Sequence, residues 1–133
     1  MKSPKVGTSV ARRVVVSLKA WRILLALAML GILVLSVLPP SPHLPSTGWD
    51  KGNHMLGFGT LGLLGTRGWP GRTWAVMAAL LAYGGLIEVL QSLTPDRSAE
   101  WADLLADGIG LGVGWLLAQI SLLFIPRSGD LEN

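Results

Sequence analysis

The chain of 133 residues contains no cysteine and few charged residues. Without thiols it can form neither disulfides nor thiolate metal sites, and it has no cysteine nucleophile. Only 14% of its residues are charged, against about 25% in an average soluble domain. Half of the residues are hydrophobic, and the mean hydropathy is +0.52. These values exclude an ordinary soluble enzyme domain and indicate an all-α protein embedded in a membrane.

Four apolar stretches, separated by short polar breaks, predict a polytopic four-helix bundle. The predicted transmembrane spans are residues 21–38, 49–69, 73–93 and 99–125, and a proline lies within two residues after each of them. Residues 1–20 are then a basic cytoplasmic tail, 21–125 the transmembrane domain and 126–133 a polar tail. The first stretch also has the basic start of a secretory signal peptide. It is slightly long for one, however, and no small-residue cleavage site precedes its prolines.

The distribution of basic residues predicts the orientation of the spans. Six of the eleven lie within the first 22 positions, and the remainder of the chain carries five basic against eight acidic residues. The second loop and the C-terminal tail contain three more, Arg67, Arg72 and Arg127. By the positive-inside rule both termini therefore face the cytoplasm. A basic tail beside an apolar run indicates contact with anionic lipid rather than with nucleic acid.

The tryptophans support this orientation. Five of the six fall at the predicted inner boundary (Trp21, Trp69, Trp74) or at the predicted outer boundary (Trp49, Trp101). Aromatic belts at both interfaces are typical of membrane proteins. The tryptophans therefore agree with the basic residues, although the two patterns are independent.

Ionisable residues inside the spans gather towards the predicted outer side. His54 lies five positions past Trp49, Glu88 five before Leu93, and Asp107 six past Trp101. At about 1.5 Å per residue, each lies roughly 7–9 Å below the boundary. Charged groups are costly in a bilayer and usually mark a functional cluster. We therefore predict one site, whose catalytic candidates are His54, Glu88 and Asp103.

Helical spacing predicts which side chains of the second and third spans meet. Asp50 and His54 are four positions apart and share a helix face, so Asp50 is expected to orient the imidazole or to tune its pKa. Lys51 lies three positions before His54, and Glu88 and Gln91 share a face of the third span.

The fourth span adds acids at helical spacing. Glu100, Asp103 and Asp107 form one acidic stripe that is expected to point inward. Arg97 precedes this stripe and is its expected counter-ion, or that of Glu88. A guanidinium fork also suits an anionic ligand such as a phosphate.

Two other interpretations of these residues carry less weight. One is a buried polar network that merely holds the helices together, yet interhelical hydrogen bonds in membranes average under about 1 kcal/mol. His54, Glu88, Asp103 and Asp107 are suitable ligands for a divalent cation. No dedicated metal-binding spacing is present, so neither a metal nor a cofactor is predicted.

The Gly108–Gly114 run contains two overlapping small-xxx-small patterns, which predict close helix packing and leave oligomerisation open.

Three sequence blocks resemble those of the VanZ-like family of small membrane proteins, over about residues 20–125. They are an Asp-Lys-x-x-His-x-x-x-Phe block, a Glu-x-x-Gln block and an Arg followed by Asp-x-x-x-Asn-x-x-Gly. The matching residues are Asp50, Lys51, His54, Phe58, Glu88, Gln91, Arg97, Asp103 and Gly110. The chain departs from the pattern at Asp107, where the family usually has Asn.

The resemblance implies a bacterial cytoplasmic membrane protein, because the namesake is associated with low-level resistance to teicoplanin. That glycopeptide binds cell-wall precursors outside the membrane, on the predicted side of the cluster. We therefore expect the cluster to bind a membrane lipid or a lipid-linked, anionic cell-wall precursor. The expected ligand-binding residues are Asp50, Lys51, His54, Glu88, Gln91, Arg97, Asp103 and Asp107.

Three other functions stay open. An enzyme would act on a lipid or precursor head group, with His54 activating water and a carboxyl as the acid. A proton- or ion-coupled carrier would need polar residues that continue to the cytoplasmic side, where the spans are almost bare of them. A purely structural membrane subunit would need only paired charges.

Overall fold

The computed structural model describes residues 7–95 and 97–123, which form four α-helices and no strand. The helices are α1 (Gly7–Val37), α2 (Asp50–Gly68), α3 (Thr73–Ser92) and α4 (Trp101–Leu123). The all-helical prediction is therefore confirmed. Residues 1–6 of the predicted N-terminal tail and 126–133 of the predicted C-terminal tail lie outside the described residues. The helix α1 begins at Gly7, so the later part of the predicted basic tail is helical.

Three segments are long and apolar enough to cross a membrane. They are Leu18–Val37 within α1, Thr73–Ser92 and Trp101–Leu123. The helix α2 is of similar length, but it starts with polar residues and is rich in glycine, which lowers its hydropathy. It contacts each of the other three helices and has a longer run of buried side chains than α1. A helix enclosed by protein needs fewer apolar residues than one that faces lipid.

Glycines bring α2 and α4 into backbone contact. A Cβ atom at Gly110 would lie 2.5 Å from the carbonyl oxygen of Met55, and one at Gly114 would overlap the carbonyl oxygen of Gly59. Side chains at these positions would force the helices apart. The Gly110/Gly114 pattern therefore allows the close packing that small-xxx-small patterns predict. Gly112, from the overlapping pattern, faces open space instead.

The other helices join this pair through the apolar core and through hydrogen bonds, one of them half-buried between α1 and α3. The core contains Phe58 and Leu61 of α2 and Ile87 of α3, which are all at most 1% exposed. The hydroxyl of Tyr83 on α3 donates a hydrogen bond of 2.6 Å to the carbonyl oxygen of Met29 on α1. This bond fixes the height of α1 against α3.

Arginine and tryptophan pairs join α1 to the last turn of α2. Arg22 Nε donates a hydrogen bond of 2.8 Å to the carbonyl oxygen of Gly68, and its guanidinium lies 4.8 Å from the centre of the Trp69 ring. Arg67 lies over the Trp21 ring at 5.5 Å. These cation–π contacts stabilise one end of the bundle and leave the opposite end to the ionisable cluster.

The glycine contacts predict opposite effects of one substitution at two neighbouring positions. Gly114→Ala places its methyl group against the α2 backbone, so we expect it to destabilise the protein by about 1–3 kcal/mol. Gly112→Ala has no neighbour within 4 Å and should be neutral or stabilising by up to about 1 kcal/mol, because alanine favours helix. Thermal unfolding in one detergent compares them. Equal unfolding temperatures would contradict the close α2–α4 contact.

Candidate functional site

The ends of all four helices meet at one end of the bundle. Arg97, in the loop between α3 and α4, donates a hydrogen bond of 3.0 Å to the carbonyl oxygen of Leu38, just after α1. Gln91 Nε2 donates one of 3.3 Å to the carbonyl oxygen of Ser36. The backbone N–H of Glu100 donates one of 2.9 Å to Glu88 Oε2. These bonds fasten the loop and the start of α4 to α1 and α3.

His54 lies at the centre of three buried carboxylates. Its Nδ1 is 2.8 Å from Asp107 Oδ1, and its Nε2 is 4.0 Å from both Glu88 Oε1 and Asp103 Oδ2. Asp103 and Asp107 are at most 2% exposed, and Glu88 is 7% exposed. The structure thus brings together His54, Glu88 and Asp107, whose equal depth predicted a site, and places Asp103 beside them. We call these four residues the buried cluster.

The hydrogen bond with Asp107 sets the tautomer of His54. An ionised carboxylate can only accept, so the Nδ1–H donates to Asp107 and Nε2 carries the lone pair when the imidazole is neutral. This arrangement corrects one prediction. Asp50 was expected to orient the imidazole, but it is exposed and makes no hydrogen bond with His54.

Sequence reasoning missed Gly84, which makes room for this pair. A Cβ atom there would overlap Asp107 Oδ2 and lie 3.1 Å from the Phe58 ring. The signal was present in the sequence, because Gly84 lies one helical turn before Glu88 on the same face of α3. A glycine beside an intramembrane acid indicates that another element approaches closely.

Lys51 is the cation that contacts the buried cluster. Its Nζ lies 2.8 Å from Glu100 Oε2 and 3.2 Å from Asp103 Oδ1. The prediction that Glu100 points inward with Asp103 and Asp107 is wrong. Glu100 precedes the first residue of α4, and half of its side chain is exposed. Helical spacing does not apply to a residue outside the helix.

The stability that the ion pair of Lys51 and Glu100 contributes depends on pH. The hydrogen bond from Lys51 holds the pKa of the Glu100 carboxyl below its usual value. A lowered folded-state pKa stabilises the protein above the usual glutamate pKa, and that contribution is lost as the pH falls through the lowered value. At neutral pH the pair is therefore ionised.

The prediction that Arg97 bonds an acid of the cluster is also wrong. Its Nη2 donates to the carbonyl oxygens of Leu35 and Leu38, and within residues 18–95 and 97–123 it forms no salt bridge with an acid. The last carbonyls of a helix lack partners within the helix. Arg97 satisfies two of these groups at the end of α1. Its Nε is buried and has no partner among the described residues.

A cavity of about 790 Å³ lies between α1, the loop after it and α2. Its apolar wall includes Ile32 and Leu35 of α1 and Leu56 of α2. Four of the predicted ligand-binding residues line it: Asp50, His54, Gln91 and Arg97. The other four, Lys51, Glu88, Asp103 and Asp107, do not. His54 is therefore the one member of the buried cluster that also lines the cavity.

Residues 8–124 match the VanZ/LLP1 family, a range that includes nearly all of the four helices. The chain belongs to this family. No curated protein and no solved structure matches it. Membership and the three apolar helices together establish a membrane protein of the VanZ type.

In this VanZ/LLP1 protein, buried polar atoms without a partner are concentrated at the site. Among the described residues they include Glu88 Oε1 and Asp107 Oδ2 of the buried cluster and Arg97 Nε. Buried polar side-chain atoms nearly always have a hydrogen-bond partner in native proteins. These three atoms therefore have hydrogen-bonding capacity that the described residues leave unsatisfied.

Lys51 and Glu100 form a salt bridge, but we expect removal of Lys51 to lower the stability of the protein more than removal of Glu100. Lys51→Met leaves the carboxylate of Asp103 buried without its cation, so we expect a clear fall in unfolding temperature. Glu100→Gln removes only a half-exposed acid and should change little. Adding Asp103→Asn to Lys51→Met should restore part of the loss. Thermal unfolding of the four proteins tests this, and equal effects of the two single substitutions would contradict it.

Proposed function

We propose that the protein spans the cytoplasmic membrane of a bacterium with four helices, that both termini face the cytoplasm, and that the site opens outward. Large apolar side chains are exposed on α1, α3 and α4, where lipid would cover them: for example Leu27, Leu30, Leu86, Val89, Leu116 and Leu117. The helix α2 lies among these three helices, so it can cross the membrane despite its lower hydropathy. The basic residues of the tail, the second loop and Arg127 support the orientation.

The proposed function is binding of a membrane lipid or lipid-linked, anionic envelope ligand. The observation that carries it is the cavity, which joins an apolar wall on α1 to polar side chains at the loop. A hydrocarbon chain fits against Ile32 and Leu35, and a head group fits beside Asn53, Gln91 and Arg97. Sites of this volume are typical for small ligands and usually combine apolar walls with a few polar groups.

Charge favours the Arg97 end of the cavity for the anionic group. The carboxylates of Glu88, Asp103 and Asp107 do not line the cavity, so they do not repel an anion there directly. Arg97 keeps a buried donor, Nε, that no described residue accepts from. A phosphate oxygen would satisfy it by a charge-assisted hydrogen bond.

A second candidate is an enzyme that acts on the head group of such a ligand. The pairing of His54 with Asp107 favours it, because a carboxylate that holds Nδ1 leaves Nε2 as a proton acceptor. Glu88 and Asp103 are the candidate acids, since each has an oxygen 4.0 Å from Nε2. Conversion of the bound lipid by wild type but not by His54→Ala would favour this candidate over binding alone.

The described residues give less support to a carrier. Among them, the buried polar residues are Thr66, Glu88, Gln91, Asp103 and Asp107. All except Thr66 lie at the end where the buried cluster is. A translocation path needs polar groups along its length.

Teicoplanin tolerance would follow from the proposed function if the ligand is a cell-wall precursor that the glycopeptide also binds.

The absence of cysteine allows a direct test of orientation. Ser41→Cys lies in the exposed loop after α1, and Pro70→Cys lies in the exposed loop after α2. We expect a membrane-impermeant maleimide to label the first in intact cells and the second only after the membrane is opened. The unsubstituted chain is the blank, because it has no thiol. The reverse labelling pattern would overturn the proposed orientation.

The cavity can be partly blocked by one substitution. Gly31 lines it, and a Cβ atom there would have no neighbour within 4 Å, so Gly31→Leu should take up part of the cavity without disturbing the fold. Gly112→Leu is the matched control, because that position is also open but lies outside the cavity. Mass spectrometry of gently extracted protein should find a defined lipid with wild type and the control, and much less with Gly31→Leu.

The identity of the lipid separates the possible ligands. An enriched polyprenyl-phosphate species would indicate a cell-wall precursor, and an enriched phospholipid would indicate a membrane lipid. Equal bulk lipid on all three stable proteins would contradict ligand binding in the cavity.

A further inference from the structure

The buried cluster contains more negative charge than its neighbouring cation can balance. Glu88, Asp103 and Asp107 place three carboxylates around one imidazole. Lys51 contacts only Asp103 among them, and it is shared with Glu100. Burying ionised carboxylates without a counter-charge costs several kcal/mol per ion. The cluster therefore needs either protons or a further cation.

Protonation alone does not provide hydrogen-bond partners for two buried carboxylate oxygens of the cluster. Glu88 Oε1 and Asp107 Oδ2 are buried and have no hydrogen-bond partner among the described residues. A proton on either oxygen would itself need an acceptor within hydrogen-bond distance. His54 Nε2 lies 4.0 Å from Glu88 Oε1, which is too far for a hydrogen bond. A positive ion held by the two carboxylates would supply the partner that a proton does not.

The donor atoms have the spacing of a slightly open metal site. One atom from each of His54, Glu88 and Asp107 lies within 4.8 Å of the other two. The centre of an equilateral triangle of that size is about 2.8 Å from each corner, so shifts of under about 1 Å give the 2.0–2.2 Å of zinc–nitrogen and zinc–oxygen bonds. Small rotations of the two carboxylates supply such shifts. Asp103 Oδ2, 4.0 Å from His54 Nε2, lies beside this triangle.

We propose that His54, Glu88 and Asp107 bind one divalent transition-metal ion, Zn²⁺ or Mn²⁺. One imidazole nitrogen with carboxylate oxygens suits these ions, whereas Mg²⁺ and Ca²⁺ prefer oxygen alone. The ion would add two positive charges to that of Lys51, against the carboxylates of Glu88, Asp103 and Asp107 and the half-exposed Glu100 that shares Lys51. This site lies beside the cavity, with which it shares His54, and binding of the ion does not require a cavity ligand.

Metal content tests the proposal directly. Protein in detergent is stripped with EDTA, incubated with ZnCl₂ or MnCl₂, desalted and analysed by elemental mass spectrometry. We expect about one ion per chain for wild type, and binding at least tenfold weaker for Glu88→Gln and Asp107→Asn, which keep the side-chain shape. Glu100→Gln and His43→Ala are controls that remove an acid and a histidine outside the site, and they should bind like wild type.

Wild-type protein provides a second measurement in case a variant fails to fold. Zn²⁺ or Mn²⁺ should raise its unfolding temperature in a saturable, EDTA-reversible way, and an excess of Mg²⁺ or Ca²⁺ should not. Wild type that retains no more metal than the two amide variants overturns the proposal. An equal loss in Glu100→Gln also overturns it. Neither result bears on the lipid measurement with Gly31→Leu. The metal proposal can therefore be overturned while the lipid-binding proposal stands, and the reverse.

Discussion

The close approach of α2 to α4 is the constraint on which the rest of the structure depends. Because Gly110 and Gly114 carry no side chains, the two backbones touch, and the polar start of α2 lies directly against the start of α4. Only then can His54 reach Asp107 and Lys51 reach Asp103. A bulkier interface would separate the imidazole from its carboxylates. The two glycines therefore position the residues of the site as well as allowing the helices to pack.

The enclosure of α2 explains how a charged site persists in an apolar molecule. The helices α1, α3 and α4 present large apolar side chains outward, while α2 carries the histidine and lysine among them. The buried cluster gains little stability from this arrangement, because desolvating its carboxylates opposes their pairing with Lys51 and His54. A cluster that is costly to bury and incompletely bonded is better explained by a ligand or ion than by stability.

The sequence predicted the members of the buried cluster better than their pairings. Depth along each helix is set by residue count, so His54, Glu88 and Asp107 could be placed at one level in advance. Pairing also depends on helix rotation and loop conformation, which residue spacing does not determine. For this reason Asp107 rather than Asp50 holds His54, and Arg97 binds the end of α1 instead of an acid. Glu100 was misplaced because α4 begins at Trp101, after Glu100 and not at the predicted residue 99.

His54 joins the two parts of the site, since it alone belongs to both the buried cluster and the cavity wall. Any group that binds in the cavity beside this imidazole changes the field acting on the carboxylates behind it. Conversely, the charge balance of the cluster sets whether Nε2 is a donor, an acceptor or a metal ligand. Asp107 thus influences the cavity without lining it. Binding in the cavity and ionisation of the cluster must therefore be linked through one side chain.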